Sequence, residues 1–589
     1  MRRGNGERAS LKFLVPLITY VKKHIALFLL AVFCAVGGTV LTIIGPKQIS
    51  KIADLITEGL MGNMDIDSIT QIAIRLVIIY AVAWILSYFQ GFLMTVVTQR
   101  TSYGLRKDIV RKINILPLRY FDNTLIGDIL SRVVNDVDTI GQTMTASVGN
   151  LFQSVTQFIG VFVIMLVICW QLTLVAVASS LVGFVIMILI MSRSQKYFVR
   201  SQAILGSLNG HIEEIYAGHD IVNAYNAQNF EEKKFDDLND RFSEAVWKSQ
   251  FMGSLMPPIM GFVGNAGYVA VCVAGAIMAV HGTITFGVIV AFMIYIRQFT
   301  QPLQQLGQVF TQLQSTAAAS KRVFEFLDEE AMPDDMNLPV RIPYGTARGD
   351  ISFEHVRFGY NPDKVIIHDF SAFAPAGKKV AIVGPTGAGK TTMVNLLMRF
   401  YEINSGQITI DGIPVSTMRR EEVHALFGMV LQDTWLFEGT IRDNIKYSKD
   451  VPDEKVIEAA KAAGIHHFIM TMPDGYDTIL DENANISAGQ KQLITIARAM
   501  VEDAPFLILD EATSSVDTRT EELIQEAMDT LMANRTSFII AHRLSTIRNA
   551  DLILVMKDGD IIEQGSHDEL MDQNGFYAEL YNSQFDQLD

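Results

Sequence analysis

The stretch KKVAIVGPTGAGKTTMVNLLMRF, Lys378 to Phe400, sets an apolar run, a glycine-rich turn and a helical pattern in a row. Its middle, Gly384 to Thr392, fits G-x-x-x-x-G-K-[ST] without a mismatch. A strand before the turn and a helix after it are the context that makes this pattern a phosphate site rather than a chance match. Gly384, Gly387 and Gly389 let backbone N–H groups wrap a β-phosphate without Cβ clashes, and Thr386 and Thr392 belong to the same cradle. The N-terminus of the following helix adds the positive end of its dipole. Lys390 is placed to reach the β- and γ-phosphates, and Thr391 to ligate Mg²⁺. The plainer alternative is a glycine-rich turn that holds no nucleotide.

Further along, FLILDE, Phe506 to Glu511, is an apolar strand that ends in two acids. Asp510 is placed to hold Mg²⁺ directly or through water, and Glu511 to polarise an attacking water. Two acids after a strand say little alone; paired with the upstream phosphate loop they say much more. The alternation of strand-like and helical segments after residue 350 predicts an α/β domain on a largely parallel sheet, with ISFEHVRFGY and QITIDGI in a smaller antiparallel part.

The first half of the chain has a different chemistry. Of 589 residues, 49% are hydrophobic, and the mean hydropathy is +0.26. Six apolar runs, near 25–46, 72–98, 149–169, 171–191, 256–281 and 283–305, each approach the ~20 residues that span a bilayer. Basic residues crowd the long loops at about 99–148 (Arg106, Arg111, Arg119) and 192–255 (Arg193, Lys196, Arg200), whereas the first outer loop carries Asp54, Glu58, Asp65 and Asp67. Positive charge marks the cytoplasmic side, so both long loops and both termini are predicted there. Apolar residues at helical spacing, such as Ile109, Ile113 and Leu116, predict that these loops are helices continued out of the membrane, with tips at PLRYFDNTLIG and EIYAGHDIVNAYNAQ. The resulting plan is a cytoplasmic segment 1–24, a transmembrane domain 25–325, a linker 326–349 rich in Pro, Asp and Gly, and a nucleotide-binding domain 350–589. A net charge of −15 argues against nucleic acid as a partner. Cys34, Cys169 and Cys272 all sit in apolar runs, without metal spacing or a disulfide framework.

Taken together these motifs resemble an ATP-binding cassette (ABC) exporter half-transporter over residues 13–585. The resemblance implies an all-α six-helix transmembrane domain with long cytoplasmic helical extensions, fused to an α/β P-loop ABC nucleotide-binding domain. It implies ATP and Mg²⁺ as cofactors and a multi-pass place in the cell membrane. ISAGQ, Ile486 to Gln490, is similar to the family's signature motif, which meets the γ-phosphate of an ATP held by a second half-transporter. Ser487, Gly489 and Gln490 would make that contact; the alternative is a Ser that merely caps a core helix. Tyr360 resembles the adenine-stacking aromatic, Gln432 the glutamine that contacts Mg²⁺ and water, Asp517 the D-loop aspartate that reaches across the dimer, and His542 the switch histidine. Glu482 resembles the X-loop glutamate.

Ala488 departs from the family's central glycine, and its methyl group would crowd the partner's phosphate rather than this chain's own. Together with an intact Glu511 this suggests the catalytically competent member of a heterodimer; a homodimer that tolerates Ala488 is the alternative. In the sixth span Arg297, Gln301, Gln304, Gln305 and Gln308 recur at three- and four-residue steps, so one face is polar. Arg297 and Gln301 are expected to line a translocation cavity, with Met252, Met256, Met260, Met278, Phe262, Phe292 and Phe299 as adaptable walls; the alternatives are a stretch that has already left the membrane and is simply hydrated, and methionines that serve ordinary helix packing. The functions implied are efflux of amphipathic drugs or lipophiles by alternating access, a lipid flippase or dedicated exporter, or, from another class, a membrane sensor whose cassettes signal.

Overall fold

The computed structural model describes residues 11–585 apart from 61, 63, 344, 362, 433, 481–485, 511–517 and 541–546, and the backbone alone at 11, 256, 260, 303, 304, 518, 584 and 585. The chain divides into two compact units, Met1–Asn114 with Ile126–Glu329, and Ile115–Leu125 with Glu330–Asp589.

The first unit is helical: α1 (Ile25–Gly59), α2 (Ile66–Ile115), α3 (Gly149–Ile168), α4 (Trp170–Ala217), α5 (Gln228–Ser254), α6 (Met256–Val280) and α7 (Phe286–Asp328). Among the described residues six helical stretches are long and apolar enough to cross a membrane, α5 and α6 forming the fifth in succession. With 50 residues in α2 and 48 in α4, the helices far outrun the ~20 a bilayer needs. The extra turns are the helical continuations beyond the membrane anticipated from the helical spacing in the long loops. Cys169 alone, at φ −157° and ψ 105°, separates α3 from α4.

Apolar side chains on α3, α4, α6 and α7 form the membrane core, including Met165, Leu172, Val271, Phe292 and Tyr295. A polar seam runs through it along α7. The Tyr295 hydroxyl donates to the Ile43 carbonyl (3.0 Å), Gln157 to the Gln298 carbonyl (3.2 Å), and Ser154 to Gln305 (2.8 Å). Lower down, Ser147 donates to Gln312 and Thr316 to Thr143 (2.6 Å). Without water, buried polar groups must find each other, so these bonds fix α7 in register against α1, α3 and the turns that lead into α3. The N-terminal end of α7 is held by Asp54 of α1, which accepts from the Gly287 amide (2.6 Å) and the Thr285 hydroxyl (3.0 Å). Gly287 suits this close approach, since a Cβ there would lie 2.1 Å from the Ser50 carbonyl oxygen. Below the seam, the third stretch contains two π-helical turns, Arg132–Asp136 and Met144–Val148. Asp136, only 4% exposed, accepts two bonds from the Arg322 guanidinium of α7, one of them at 2.9 Å.

Two expectations for this unit change. Gln305 turns to α3 instead of sharing the exposed face of Arg297, Gln301 and Gln308. Phe292 and Phe299 are buried core residues, Phe299 stacking on Phe158 at 4.9 Å, while Phe262 is exposed. Helical spacing shows which residues share a side but not which neighbour covers it. The side chains of Met256, Met260 and Gln304 lie outside the described residues.

The second unit carries twelve strands among its described residues: β1 (Ile351–Phe358), β2 (Ile367–Ala374), β3 (Lys379–Val383), β4 (Ser405–Ile410), β5 (Ile413–Pro414), β6 (Phe427–Val430), β7 (Gly439–Thr440), β8 (Ile479–Leu480), β9 (Phe506–Asp510), β10 (Thr536–Ile540), β11 (Leu552–Lys557) and β12 (Asp560–Gly565). One sheet runs β12-β11-β3-β10-β9-β6, parallel except for β11 with β12; an antiparallel sheet runs β2-β1-β4-β5. Alternate residues of β3, β9 and β10 feed two cores. Val380, Ile382, Ile508 and Phe538 face the antiparallel sheet side, while Ala381, Val383, Leu507 and Ile539 face a helical layer. Burial on both faces explains why these strands read as continuous apolar runs. Residues 329–350 hold no regular element among those described.

Candidate nucleotide site

β3 delivers the phosphate loop to the carboxyl edge of the parallel sheet, where ligands of open α/β folds bind. Gly384 and Gly389 adopt φ +156° and +100°, and Gly389 is the N-cap of α8 (Lys390–Leu397). Both close approaches exclude a side chain. A Cβ at Gly384 would lie 2.2 Å from the Met556 carbonyl oxygen, and one at Gly389 2.8 Å from Ile367 Cδ1. The Lys390 ammonium is buried and donates to the carbonyls of Gly384 (2.6 Å) and Pro385 (3.2 Å). Burial pushes its pKa down, and Asp510 opposes that shift. A desolvated lysine held over the loop is ready to exchange carbonyl partners for phosphate oxygens.

The loop floors an open cleft of about 830 Å³ lined by Thr386, Gly387, Gly389, Lys390, Thr391, Thr392, Gln432 and Asp510. The register of β3, β10 and β9 brings Ile382, Ile540 and Asp510 level, which is why the end of β9 meets the phosphate loop. Thr391, Gln432 and Asp510 supply hard oxygen donors to the lining of the cleft, a set that fits Mg²⁺. Lys364, His368 and Asp558 line the same cleft and were not legible beforehand, because no local pattern marks them. Glu511, Asp517, His542 and Glu482 lie outside the described residues.

Tyr360 follows β1 and stands edge-on to Phe358 (5.0 Å) and Tyr401 (4.9 Å), its hydroxyl 3.3 Å from Thr392. Tyr401 in turn donates to Asp122, in the segment 115–125 that belongs to this unit. Burial first, and the Asp122 carboxylate second, push the Tyr401 pKa well above the ordinary phenol value, so it remains a donor at any physiological pH. The packing around Tyr360 and the 115–125 segment thus share one aromatic residue. Tyr401→Phe keeps the ring and removes a bond worth about 1–2 kcal/mol. Measured together, ATP affinity should stay within about twofold, while transport per ATP hydrolysed falls several-fold. An unchanged ratio would remove Tyr401 from the coupling path.

Ser487 caps α10 (Ala488–Glu502; α9 is Ile441–Lys446) by a reciprocal box: its hydroxyl accepts from the Gln490 amide (3.2 Å), and the Gln490 side chain accepts from the Ser487 amide (2.9 Å). The capping alternative is therefore realised. Ser487 and Ala488 are exposed and Gly489 is buried. Ser487, Gly489 and Gln490 are not among the residues lining this chain's own cleft. Arg498, on the same helix, donates to the carbonyls of Asn444 (2.7 Å) and Trp435 (3.2 Å) and lies over Tyr447 at 5.2 Å. It ties the signature helix to the segment that follows Gln432, a link too distant in sequence to be read from a motif.

Family models described as the ABC transporter transmembrane region and as ABC transporter match residues 28–303 and 367–514. A fatty acid ABC transporter ATP-binding/permease protein of Mycobacterium bovis is 45% identical over 506 residues, covering 85% of this chain and 79% of that protein. This chain is an ABC transporter. The ABC transporter is also 33% identical to an ATP-dependent lipid A-core flippase of Syntrophus aciditrophicus over 571 residues, 97% of this chain and 94% of the flippase. A solved bacterial Atm1-family ABC exporter with ATP bound matches it with a TM-score of 0.75 and 28% identity, over 96% of this chain and 98% of the other. The ABC transporter is thus an exporter half-transporter: one membrane domain of six apolar helices and one α/β cassette, which binds ATP and couples its hydrolysis to transport as part of a dimer in the membrane.

Proposed function

We propose that this ABC exporter moves amphipathic, lipophilic compounds out of the cytoplasm or the inner leaflet of the cell membrane, with both termini cytoplasmic. The observation that carries this is the uncovered polar face of α7: Arg297, Gln301 and Gln308 are exposed within the protomer on a membrane-spanning helix. Such a face belongs against water or cargo, not acyl chains. The named cargoes of two relatives, a fatty acid and lipid A-core, also favour lipophiles, and with them the flippase reading over small drugs. In the site, Lys390 and the loop amides bind the β- and γ-phosphates, Tyr360 stacks on adenine, Gln432 and His542 position the attacking water, and Glu511 accepts its proton. Thr391, Gln432 and Asp510 would hold Mg²⁺, which when bound neutralises phosphate charge. Ser487, Gly489, Gln490 and Asp517 serve the nucleotide of the second subunit. Cassette closure on ATP turns the cavity outward and hydrolysis resets it. Transport of fluorescent lipid and drug analogues into inside-out vesicles tests the reading; ATP-dependent uptake of neither would refute export of lipophiles.

The partner is proposed to be a different half-transporter. Ala488 is exposed at the first turn of α10, where an added methyl narrows the approach of the partner's phosphate. The chain purified alone is expected to show weak ATPase in lipid nanodiscs that rises at least about tenfold on adding its partner, a 1.4 kcal/mol effect. Robust cooperative turnover by the chain alone would establish the homodimer instead.

A further inference from the structure

The six apolar runs contain no Asp or Glu, and their only Lys or Arg residues are Arg75 and Arg297. Arg75 lies near the outer end of its run, in reach of water. Arg297 lies roughly 16 Å along α7 from its start at Phe286, at a rise of 1.5 Å per residue. That is about half of a ~30 Å hydrocarbon core. It is exposed within the protomer, and its guanidinium sits 5.5 Å from the centroid of the Tyr268 ring on α6. Stacking on an aromatic face steadies a guanidinium in one direction and leaves its N–H fork available. The same two helices carry further exposed polar groups: Gln301 one turn on along α7, and Asn265 one turn before Tyr268 on α6. Space remains beside them, for a Cβ at Gly264 would meet nothing within 4 Å.

A full positive charge at this depth is costly unless it meets water or a counter-charge. The spans of this chain cannot provide one, and a second copy would bring another Arg297 and still no acid. We infer that Arg297, braced by Tyr268 and flanked by Gln301 and Asn265, binds the oxyanion head of an anionic single- or multi-chain amphiphile, its tail running along the apolar surface that includes exposed Phe262 and Val269. A carboxylate and a phosphate monoester share this chemistry, since both accept a bidentate fork. The inference rests on the reading that the exporter carries lipophiles, and it assigns their head group.

The experiment uses the assembled transporter in nanodiscs of zwitterionic lipid and follows stimulation of its ATPase by C16 amphiphiles that differ in the head alone: palmitate, hexadecyl phosphate, monopalmitoyl glycerol and hexadecyltrimethylammonium. Each half-maximal concentration is compared within one variant, so altered amounts of folded protein cancel. At least one of the two anions is expected to act at a concentration about tenfold or more below the neutral compound, as befits a charged hydrogen-bonded pair, and which of them does so names the head. Arg297→Gln should erase that ratio and Arg297→Lys should retain part of it. Equal potency of all four heads, or an anion preference that survives Arg297→Gln, overturns the inference while leaving export of lipophiles standing. A different partner subunit that contributed an acid beside Arg297 would also abolish the preference and count against it. Stimulation by none of the four would overturn both the inference and the export reading.

Discussion

Glu511→Gln is expected to slow ATP hydrolysis by about 10²–10⁴-fold without loss of ATP binding. β9 places Asp510 in the cleft beside Lys390 and Thr391, and Glu511 is the next residue along the chain. Glutamine matches glutamate in size and still hydrogen-bonds water, but it cannot take the proton that the attacking water must lose. The phosphate loop is untouched, so the triphosphate is held as before. Because ATP shifts the dimer toward closure only by binding the closed form more tightly, blocking hydrolysis should let closed dimers accumulate. Lys390→Ala should behave in the opposite sense: nucleotide retention itself is lost, since the single buried cation of the loop is gone. Steady-state ATPase and nucleotide retained after gel filtration separate the two variants. Near-normal turnover by the Glu511→Gln protein would take the catalytic role away from Glu511.

The second large effect belongs to the membrane domain. Arg322→Ala strands the Asp136 carboxylate, which is 4% exposed and has Arg322 as its ion-pair partner among the described residues. Removing one member of a buried pair costs about 3–5 kcal/mol. The lower end applies here, because the Arg322 side chain is itself half exposed. The pair joins a π-helical turn to α7 just below the Thr143–Thr316 and Ser147–Gln312 bonds, so the loss should open that end of the helix first. Hydrogen exchange is expected to speed up around residues 132–148 and 312–326, with earlier thermal unfolding in detergent. Asp136→Asn placed on top of Arg322→Ala removes the stranded charge and should recover much of the stability. A single variant as protected as the parent, or a double variant worse than the single, would show that the pair is not what holds these segments.

The two halves of the chain were not equally legible. Spans, their helical extensions, the strand–loop–helix around Lys390 and the apolar strand ending at Asp510 all depend on short-range patterns: periodicity and glycine placement. Such patterns survive in sequence because neighbouring residues enforce them. The division of the α7 polar face was not readable in the same way. Gln305 and Arg297 share a helical stripe, yet one bonds Ser154 and the other stacks on Tyr268, according to which helix stands opposite.

Sequence by itself determined the class of each half, the nucleotide loop and the six-span plan, since each is written within a few turns of chain. The tertiary structure alone decided that Tyr401 meets Asp122, that Arg498 clasps Asn444, that Asp136 is closed off by Arg322 and that Arg297 is left open. Those pairings join residues tens to hundreds of positions apart, and only the packing of whole elements brings them within the few ångströms over which a hydrogen bond or an ion pair acts.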